Sequence, residues 1–338
     1  MSDLVAKILI VMAAFIHRAG RQVVAMTAGA FLILGCGSAS MPSSQTSSQT
    51  SPQPSSASSS VPASSNIMPV GTVVSTRPGK VLVVVLENHG LNASWRQMPF
   101  LASQATGYAR AWSYYAVTHP SLPDYLVLAG GSTFGVTDDR SPAYHRLSGS
   151  SVFGQVIAHS RTARTYAEGM TTTCQRTNTG RYAVKHNPWA YFASSTEHSL
   201  CLRYDVPAGT PTSGALHRDV AAGRLPTFSM LIPDLCHDGH DCSLATADVW
   251  LKAWLRQIEA GSDFRTGRLA VVVTFDEDER LSGNHVLAAV MHPARRGVLV
   301  TRRLDHYSLS ATASRLVRVL PLRKAATSPN FLAAFGLA

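Results

Sequence analysis

The sequence is short of what marks several function classes. It has five cysteines in 338 residues, and no two stand in the CxxC spacing that a structural zinc site prefers. No RNA- or DNA-reading motif is present, which argues against nucleic acid as a specific partner. No apolar run is long enough to span a bilayer comfortably as a helix. Acidic residues are outnumbered, 20 Asp and Glu against 30 Lys and Arg, for a formal net charge of +10. That excess is spread along the chain, apart from "ARRGVLVTRR" (294–303). It reads as a general attraction to anionic substrates and surfaces.

What is present divides the chain into three parts. In residues 1–37, "HRAGRQ" supplies positive charge, "VVAMTAGAFLIL" has the length of a signal core, and "GCGS" follows at once; this is an export segment. Leu34-Gly35-Cys36 looks like a lipobox, so Cys36 is the expected lipidation site. The protein is then expected in the cell envelope, held at the membrane by an N-terminal lipid anchor or signal, or otherwise secreted. An earlier apolar run, "ILIVMAAFI", leaves open a downstream start or a retained anchor. Residues 38–76 read as a disordered linker: 38–66 are almost entirely Ser, Pro, Ala, Gln and Thr, which cannot bury enough apolar surface to offset ordering entropy. Residues 77–338 are long enough for one large domain. With Cys36 set aside, an even number of cysteines remains, Cys174, Cys201, Cys236 and Cys242, which outside the cytoplasm suggests two disulfides. Of three possible pairings, the local ones are expected, Cys174–Cys201 and Cys236–Cys242.

Several runs of aliphatic residues end in acidic ones. "KVLVVVLENH" runs into Glu87, Asn88 and His89; "TFSMLIPD" ends in Asp234; "LAVVVTFDEDE" ends in Asp276 and Glu277. Apolar runs without alternation indicate strands buried on both faces, as in a parallel sheet. Helical patterns lie between them, notably "SVFGQVIAHS" and "ATADVWLKAWLRQIEAG", the second stopping at Gly261, a natural C-cap. The expected fold is α/β: a doubly wound, mostly parallel sheet sandwiched by helices. Such sheets bind ligands at the carboxyl ends of their strands. Carboxylates gathered there repel one another unless a cation lies among them. Hard oxygen ligands point to Mg, Ca, Mn or Zn.

One serine is unusually constrained. In "THPSLPDYLVLAGG", Ser121 lies between Pro120 and Pro123, each of which biases the preceding residue away from helix. From Pro123 the pattern is helical with glycines at its end. Ser121 therefore stands at a helix N-terminus, where an anion is favoured. A plain helix cap is the alternative reading.

The motifs "VLENH", "THPSLPDYLVLAGG", "YAVKHNPWAYF", "IPDLCHDGHDCSLATADVWL", "VVVTFDEDE" and "LDHYS" occur in this order. Together they resemble the bacterial phosphoesterase family, which includes acid phosphatases and phosphocholine-type phospholipases C, within the alkaline phosphatase superfamily. The similarity runs over nearly all of 79–320 and implies an alkaline-phosphatase-like fold. It makes Glu87 and Asn88 a metal and phosphate pair, Ser121 the nucleophile and a metal ligand, and Asp276 and Glu277 paired acidic ligands. His306 resembles a C-terminal histidine near metal or phosphate. His240, with Asp234 and Asp238 around it, lies where relatives place further polar or metal-binding groups. Lys185 and His186 fall in a motif placed beside the substrate. Asp124 and Asp234 depart from the family pattern, where Asn is commoner. The Asp-x-x-x-His spacing of two-metal members is missing around Asp234, so the cation count stays at one or two.

The resemblance implies an exported, metal-dependent phosphoesterase that hydrolyses phosphate monoesters through a phosphoserine on Ser121, with His240 or His306 as proton donor and Asn88, Asp124, Lys185 and His186 about the substrate. Two alternatives stand beside it: a phospholipase C or other phosphodiesterase acting on a phospholipid headgroup, and a surface lipoprotein that binds a phosphate ligand without turnover. Larger phospholipase relatives carry further C-terminal domains that these residues do not include, which favours small phosphomonoesters. A sulfatase reading needs C/S-x-P-x-R, and position 125 is Tyr.

Overall fold

The computed structural model describes residues 74–338. The export segment with Cys36 and nearly all of the linker lie outside the described residues.

Three strands make the centre of the domain: β1 (Lys80–Leu86), β6 (Phe228–Ile232) and β7 (Leu269–Phe275). β1 lies between the other two and is parallel to both, with Val81 opposite Phe228 and Ala270 and Val84 opposite Leu231 and Val273. All of their residues but Lys80 are buried, which is why these segments carry no polar alternation. The other strands are β2 (Ala109–Ala111), β3 (Tyr114–Tyr115), β4 (Ala163–Ala167), β5 (Asp205–Pro207), β8 (Ala288–Met291), β9 (Val298–Val300) and β10 (Leu304–Asp305). The main sheet has the order β5-β4-β6-β1-β7-β8-β2-β9. Only β8 runs against its neighbours; β2 and β9 are parallel to each other, so both point the same way as β1 and β7. β3 and β10 form a separate parallel pair. The sheet is mostly parallel with helices about it, as its sequence implies.

Three helices matter for the site: α1 (Ser121–Gly130), α2 (Leu244–Ala260) and α3 (His306–Leu316). All ten residues of α1 are buried. It ends at Gly131, whose left-handed φ of 66° lets its N–H reach Val127 O, a conformation that costs glycine little. α2 starts on Ser243, which accepts from Thr246 N, and buries Leu244, Ala247, Leu251, Trp254, Leu255 and Ile258 at helical spacing. Each large apolar side chain so buried contributes about 1.5–3 kcal/mol. Gly261 does follow α2, but its φ of −68° is ordinary. Space is what demands glycine there, because a Cβ would lie 3.0 Å from Ile258 O and 3.1 Å from Val220. α3 carries a reciprocal capping box between Asp305 and Ser308. Both local disulfides are formed, with Cα atoms 5.2 Å apart for Cys174–Cys201 and 4.6 Å for Cys236–Cys242. Among the described residues no helix is long and apolar enough to cross a membrane.

Candidate active site

β1 and β7 end side by side, Leu86 opposite Phe275, and the residues that follow them are polar though mostly buried. Glu87 and Asn88 leave β1, and Asp276 and Glu277 leave β7. The two exits are tied together: Asp276 N donates to Leu86 O at 2.9 Å, and Asn88 N donates to Asp276 Oδ1 at 2.9 Å. Asn88 takes a left-handed φ of 56°, which Asn tolerates better than most residues. Its side chain donates to Glu87 Oε2 at 3.1 Å.

Ser121 opens α1 against these carboxylates. Its Oγ lies 3.1 Å from Glu87 Oε2 and 3.4 Å from Glu277 Oε1. Glu87, Ser121, Asp276 and Glu277 are thus one buried group. The helix end is less free than the sequence suggests. Leu122 N already donates to Asp139 Oδ1 at 2.9 Å, and Pro123 has no N–H. Asp139 also holds Lys185 Nζ at 3.1 Å. Asp139, Lys185 and His240 line a cavity of about 320 Å³ together with Ser141, Asn178 and Leu235.

The electrostatics follow from burial of several like charges. Burial and the neighbouring Glu87 raise Asp276 well above the usual aspartate range and push Glu277 up to about 8. Burial opposes ionisation of Glu87 as well, yet His186 and Lys185 outweigh it and hold Glu87 at about 2. His186, which burial alone would keep neutral, is raised to about 9 by Glu87 and Asp238. Its Nε2 lies 3.1 Å from Glu87 Oε1 and its Nδ1 3.1 Å from Asp238 Oδ2, and its ring stacks on Tyr125 at 5.2 Å. His186 and Lys185 thus compensate Glu87, while burial and the Glu87 charge disfavour ionisation of Asp276 and Glu277. Asp276 Oδ2 is buried without a hydrogen-bond partner among the described residues. An all-oxygen set of three carboxylates and a serine hydroxyl, with an orphaned carboxylate oxygen, fits a hard divalent cation. Ligand atoms of Glu87, His186 and Asp238 also lie within 4.8 Å of one another.

Several expected site residues stand elsewhere. Asp234 is not with Ser121: its Oδ1 accepts from Cys236 N and His237 N at 3.0 Å each, and it groups with Glu168 and His237. It shapes the turn that follows β6. Asp124 is fully buried, with its carboxylate accepting from Val117 N at 2.8 Å and Thr118 N at 3.2 Å. It fixes the loop ahead of Ser121 instead of meeting substrate, and burial raises its pKa well above the ordinary range. His306 has no nitrogen to spare. Its Nε2 lies 2.7 Å from Asp276 O and its Nδ1 2.8 Å from Tyr114 OH. Burial depresses its pKa to about 4, so it is a neutral ring that positions Asp276, not a proton donor. His186 is 1% exposed and lies between Glu87 and Asp238. Lys185 does line the cavity. Asp238 belongs to the site through His186, and its Oδ1 accepts from His240 N at 2.8 Å. His240 lines the cavity with its Nδ1 2.7 Å from Asp241 Oδ1.

Other residues joined the site unannounced. Asp139 comes from a loop with no periodic pattern. His119 Nδ1 lies 2.5 Å from Glu277 Oε2 and its Nε2 3.2 Å from Asp278 Oδ1; its place two residues before Ser121 was the available signal. Asn284 clamps the loop ahead of Ser121, donating to Thr118 O at 2.9 Å.

Comparison with known proteins identifies relatives in sequence and in fold. A phosphatidylinositol-3-phosphatase of Mycobacterium tuberculosis is 29% identical over 73% of this chain and 80% of its own length. An acid phosphatase of Aspergillus fumigatus and a probable acid phosphatase of Kluyveromyces lactis are each 26% identical, over 73% and 75% of this chain; the match spans 56% and 62% of those longer proteins. In fold, a member of the alkaline phosphatase superfamily from Vibrio parahaemolyticus superposes with a TM-score of 0.52 at 11% identity, covering 77% of this chain and 70% of that one. Residues 92–317 match the model of the phosphoesterase family, and the chain belongs to that family.

Proposed function

We propose that the protein is an exported, metal-dependent phosphomonoesterase that works through a phosphoserine on Ser121. Membership of the phosphoesterase family makes the chain a phosphoric ester hydrolase. The observation that carries the finer reading is the approach of Ser121 Oγ to Glu87 and Glu277 at 3.1 and 3.4 Å. A helix cap needs no such neighbours. The two disulfides support folding in an oxidising compartment.

Glu87, Asp276, Glu277 and Ser121 would hold the divalent cation, which when bound neutralises phosphoryl oxygens and makes a hydroxyl easier to ionise. Ser121 Oγ attacks phosphorus in line and gives its proton to a site carboxylate. The Ser121 O–P bond forms as the ester O–P bond breaks. His240, oriented by Asp241, protonates the departing alkoxide across the cavity. Lys185 and Asn88 bind the equatorial oxygens. Water then attacks the phosphoserine, releasing phosphate and restoring the hydroxyl. His306, His186 and His119 keep the carboxylates in place.

The test is hydrolysis of p-nitrophenyl phosphate, its bis ester and phosphatidylcholine by the full chain, before and after chelation, beside Ser121→Ala. Metal-restorable monoester turnover that is lost in Ser121→Ala is expected. Undiminished turnover in that variant removes the nucleophile assignment. Faster turnover of a diester moves the protein to the phosphodiesterase reading. Phosphate binding without hydrolysis of any ester would leave the binding-protein reading.

A further inference from the structure

The parallel course of β1, β7, β2 and β9 brings a second set of residues to the edge that carries Ser121. Trp112 follows β2, and Arg302 and Arg303 follow β9. Strands in a sheet lie 4.7–4.9 Å apart, so these exits stand roughly 10–15 Å from that of β7. The β7–β8 loop closes the gap. Its His285 Nε2 lies 2.6 Å from Trp112 O, its Asn284 O accepts from Ala116 N, and its Val286 N donates to Tyr114 O. At the tip of that loop Leu281 is 83% exposed, and Trp112 is 52% exposed.

The charge around these two apolar side chains has one sign. Arg280, Arg302 and Arg303 are all exposed. Arginines paired to carboxylates among the described residues are Arg140, Arg164 and Arg268, and none of these three is among them. Of the nearby acids Asp278 is buried and Glu279 and Asp305 are half-buried, and all three accept backbone hydrogen bonds. Asp278 accepts from Arg280 N and Ser282 N, Glu279 accepts from Gly90 N at 2.6 Å, and Asp305 caps α3. Arg303 lies 3.8 Å over the ring of Tyr115, which stacks on His285 at 4.8 Å, so its charge is held in place. The run "ARRGVLVTRR" is thereby split: Arg295 and Arg296 stand at the amino end of β9, Arg302 and Arg303 at the catalytic edge.

We propose that Trp112, Leu281, Arg302 and Arg303, with Arg280 beside them, form a docking rim for an anionic phospholipid bilayer. Unpaired arginines meet the negative headgroups, and the indole and the leucine enter the headgroup–acyl boundary where such side chains are favoured. The rim shares its edge with Ser121, so docking would turn the site toward phosphate esters carried at the membrane. Only that last consequence rests on the hydrolase reading.

The test is tryptophan fluorescence of the full chain mixed with vesicles of brominated phosphatidylglycerol or brominated phosphatidylcholine. Among the described residues Trp112 is the one exposed tryptophan, Trp95 being half-buried. A tether upstream would bring the protein to both vesicles alike, so the difference between lipids is what counts. Quenching by the glycerol lipid alone is expected, lost in Trp112→Phe and reversed by molar salt, where screening shortens to about 3 Å. Arg302→Gln with Arg303→Gln should weaken partitioning roughly fivefold per arginine, leaving p-nitrophenyl phosphate turnover unchanged. Equal quenching by both lipids, quenching by neither, or full quenching in the double variant overturns the proposal. A wild type that is quenched but hydrolyses no ester keeps the rim and removes the hydrolase reading.

Discussion

Asp205 offers a quantitative check on how the substrate-side loop is held. It is fully buried at the start of β5, with Thr165 Oγ1 donating at 2.5 Å and Asn187 Nδ2 at 2.8 Å. Asn187 belongs to the "KHNPW" stretch that carries Lys185 and His186. Burial raises the Asp205 pKa from 3.8 to about 7, against the lowering effect of its two donors. A raised carboxylate pKa means that the folded state binds the proton more tightly. Stability from this site is therefore full below pH 3.8 and is lost as pH rises through about 7. The whole shift corresponds to about 4 kcal/mol. By pH 5 the unfolded aspartate is already mostly ionised, so about 2–3 kcal/mol remains to be lost between pH 5 and pH 8. Asp205→Asn has no such titration. Urea unfolding of both proteins at pH 5 and pH 8 should show the variant gaining that amount on the wild type. At an m near 3 kcal/mol/M this is a relative midpoint shift of about 1 M. Other buried carboxylates titrate in both proteins and cancel in the comparison. A stability difference that is the same at both pH values would show that Asp205 is ionised throughout and refute the reasoning.

Other consequences are open to direct measurement. His240→Gln should slow hydrolysis of an alkyl phosphate by about 10²–10⁴ and barely affect p-nitrophenyl phosphate, whose phenolate leaves unaided; equal losses on both esters would remove its role as proton donor. Lys185→Gln should raise KM for monoesters with a smaller effect on kcat, and an unchanged KM would place the phosphate elsewhere. Glu197 is buried and accepts from Ser151 N, Ser151 Oγ and Trp189 Nε1 at 2.7, 2.8 and 3.0 Å. Glu197→Ala leaves three donors unpartnered and should cost about 3 kcal/mol or more by urea unfolding. Gly154→Ala should disturb the same network, because a Cβ there would lie 2.1 Å from Glu197 Oε1.

The readable parts of the sequence were those where one segment states its own constraint. β1, β6 and β7 are visible because burial on both faces leaves them almost wholly apolar, with Lys80 at an end and Ser229 and Thr274 the buried exceptions, and the acidic residues after β1 and β7 stand out against them. Ser121 is visible through its prolines. The resemblance supplied its partners, since nothing local says that residue 121 meets residues 87 and 277. Roles that depend on orientation were not legible. Asp124 and His306 sit where relatives have functional groups, yet one turns to Val117 and Thr118 and the other to Tyr114 and Asp276 O. Asp234 looked like a ligand beside Ser121 and stands instead with Glu168 and His237, capping its own turn, because Asp readily accepts from backbone N–H groups just ahead of it. Asp139 came from an irregular loop, and its capture of Leu122 N changes how much of the helix end a phosphate can use.

The short disulfide sets two grades of permanence within one catalytic edge. Glu87, Asp276 and Glu277 ride on strands whose hydrogen bonds and apolar packing hold them regardless of sulfur chemistry. Asp238 and His240 lie inside the ring closed by Cys236 and Cys242, six residues apart, and are braced by that closure, worth about 2 kcal/mol on chain-entropy grounds, beside the bond from Glu87 N to Asp238 O. The sheet gathers the carboxylates about Ser121, and the disulfide braces the segment that supports His186 and carries His240. A reduced chain would keep its acids in register and lose a brace on the segment beside them.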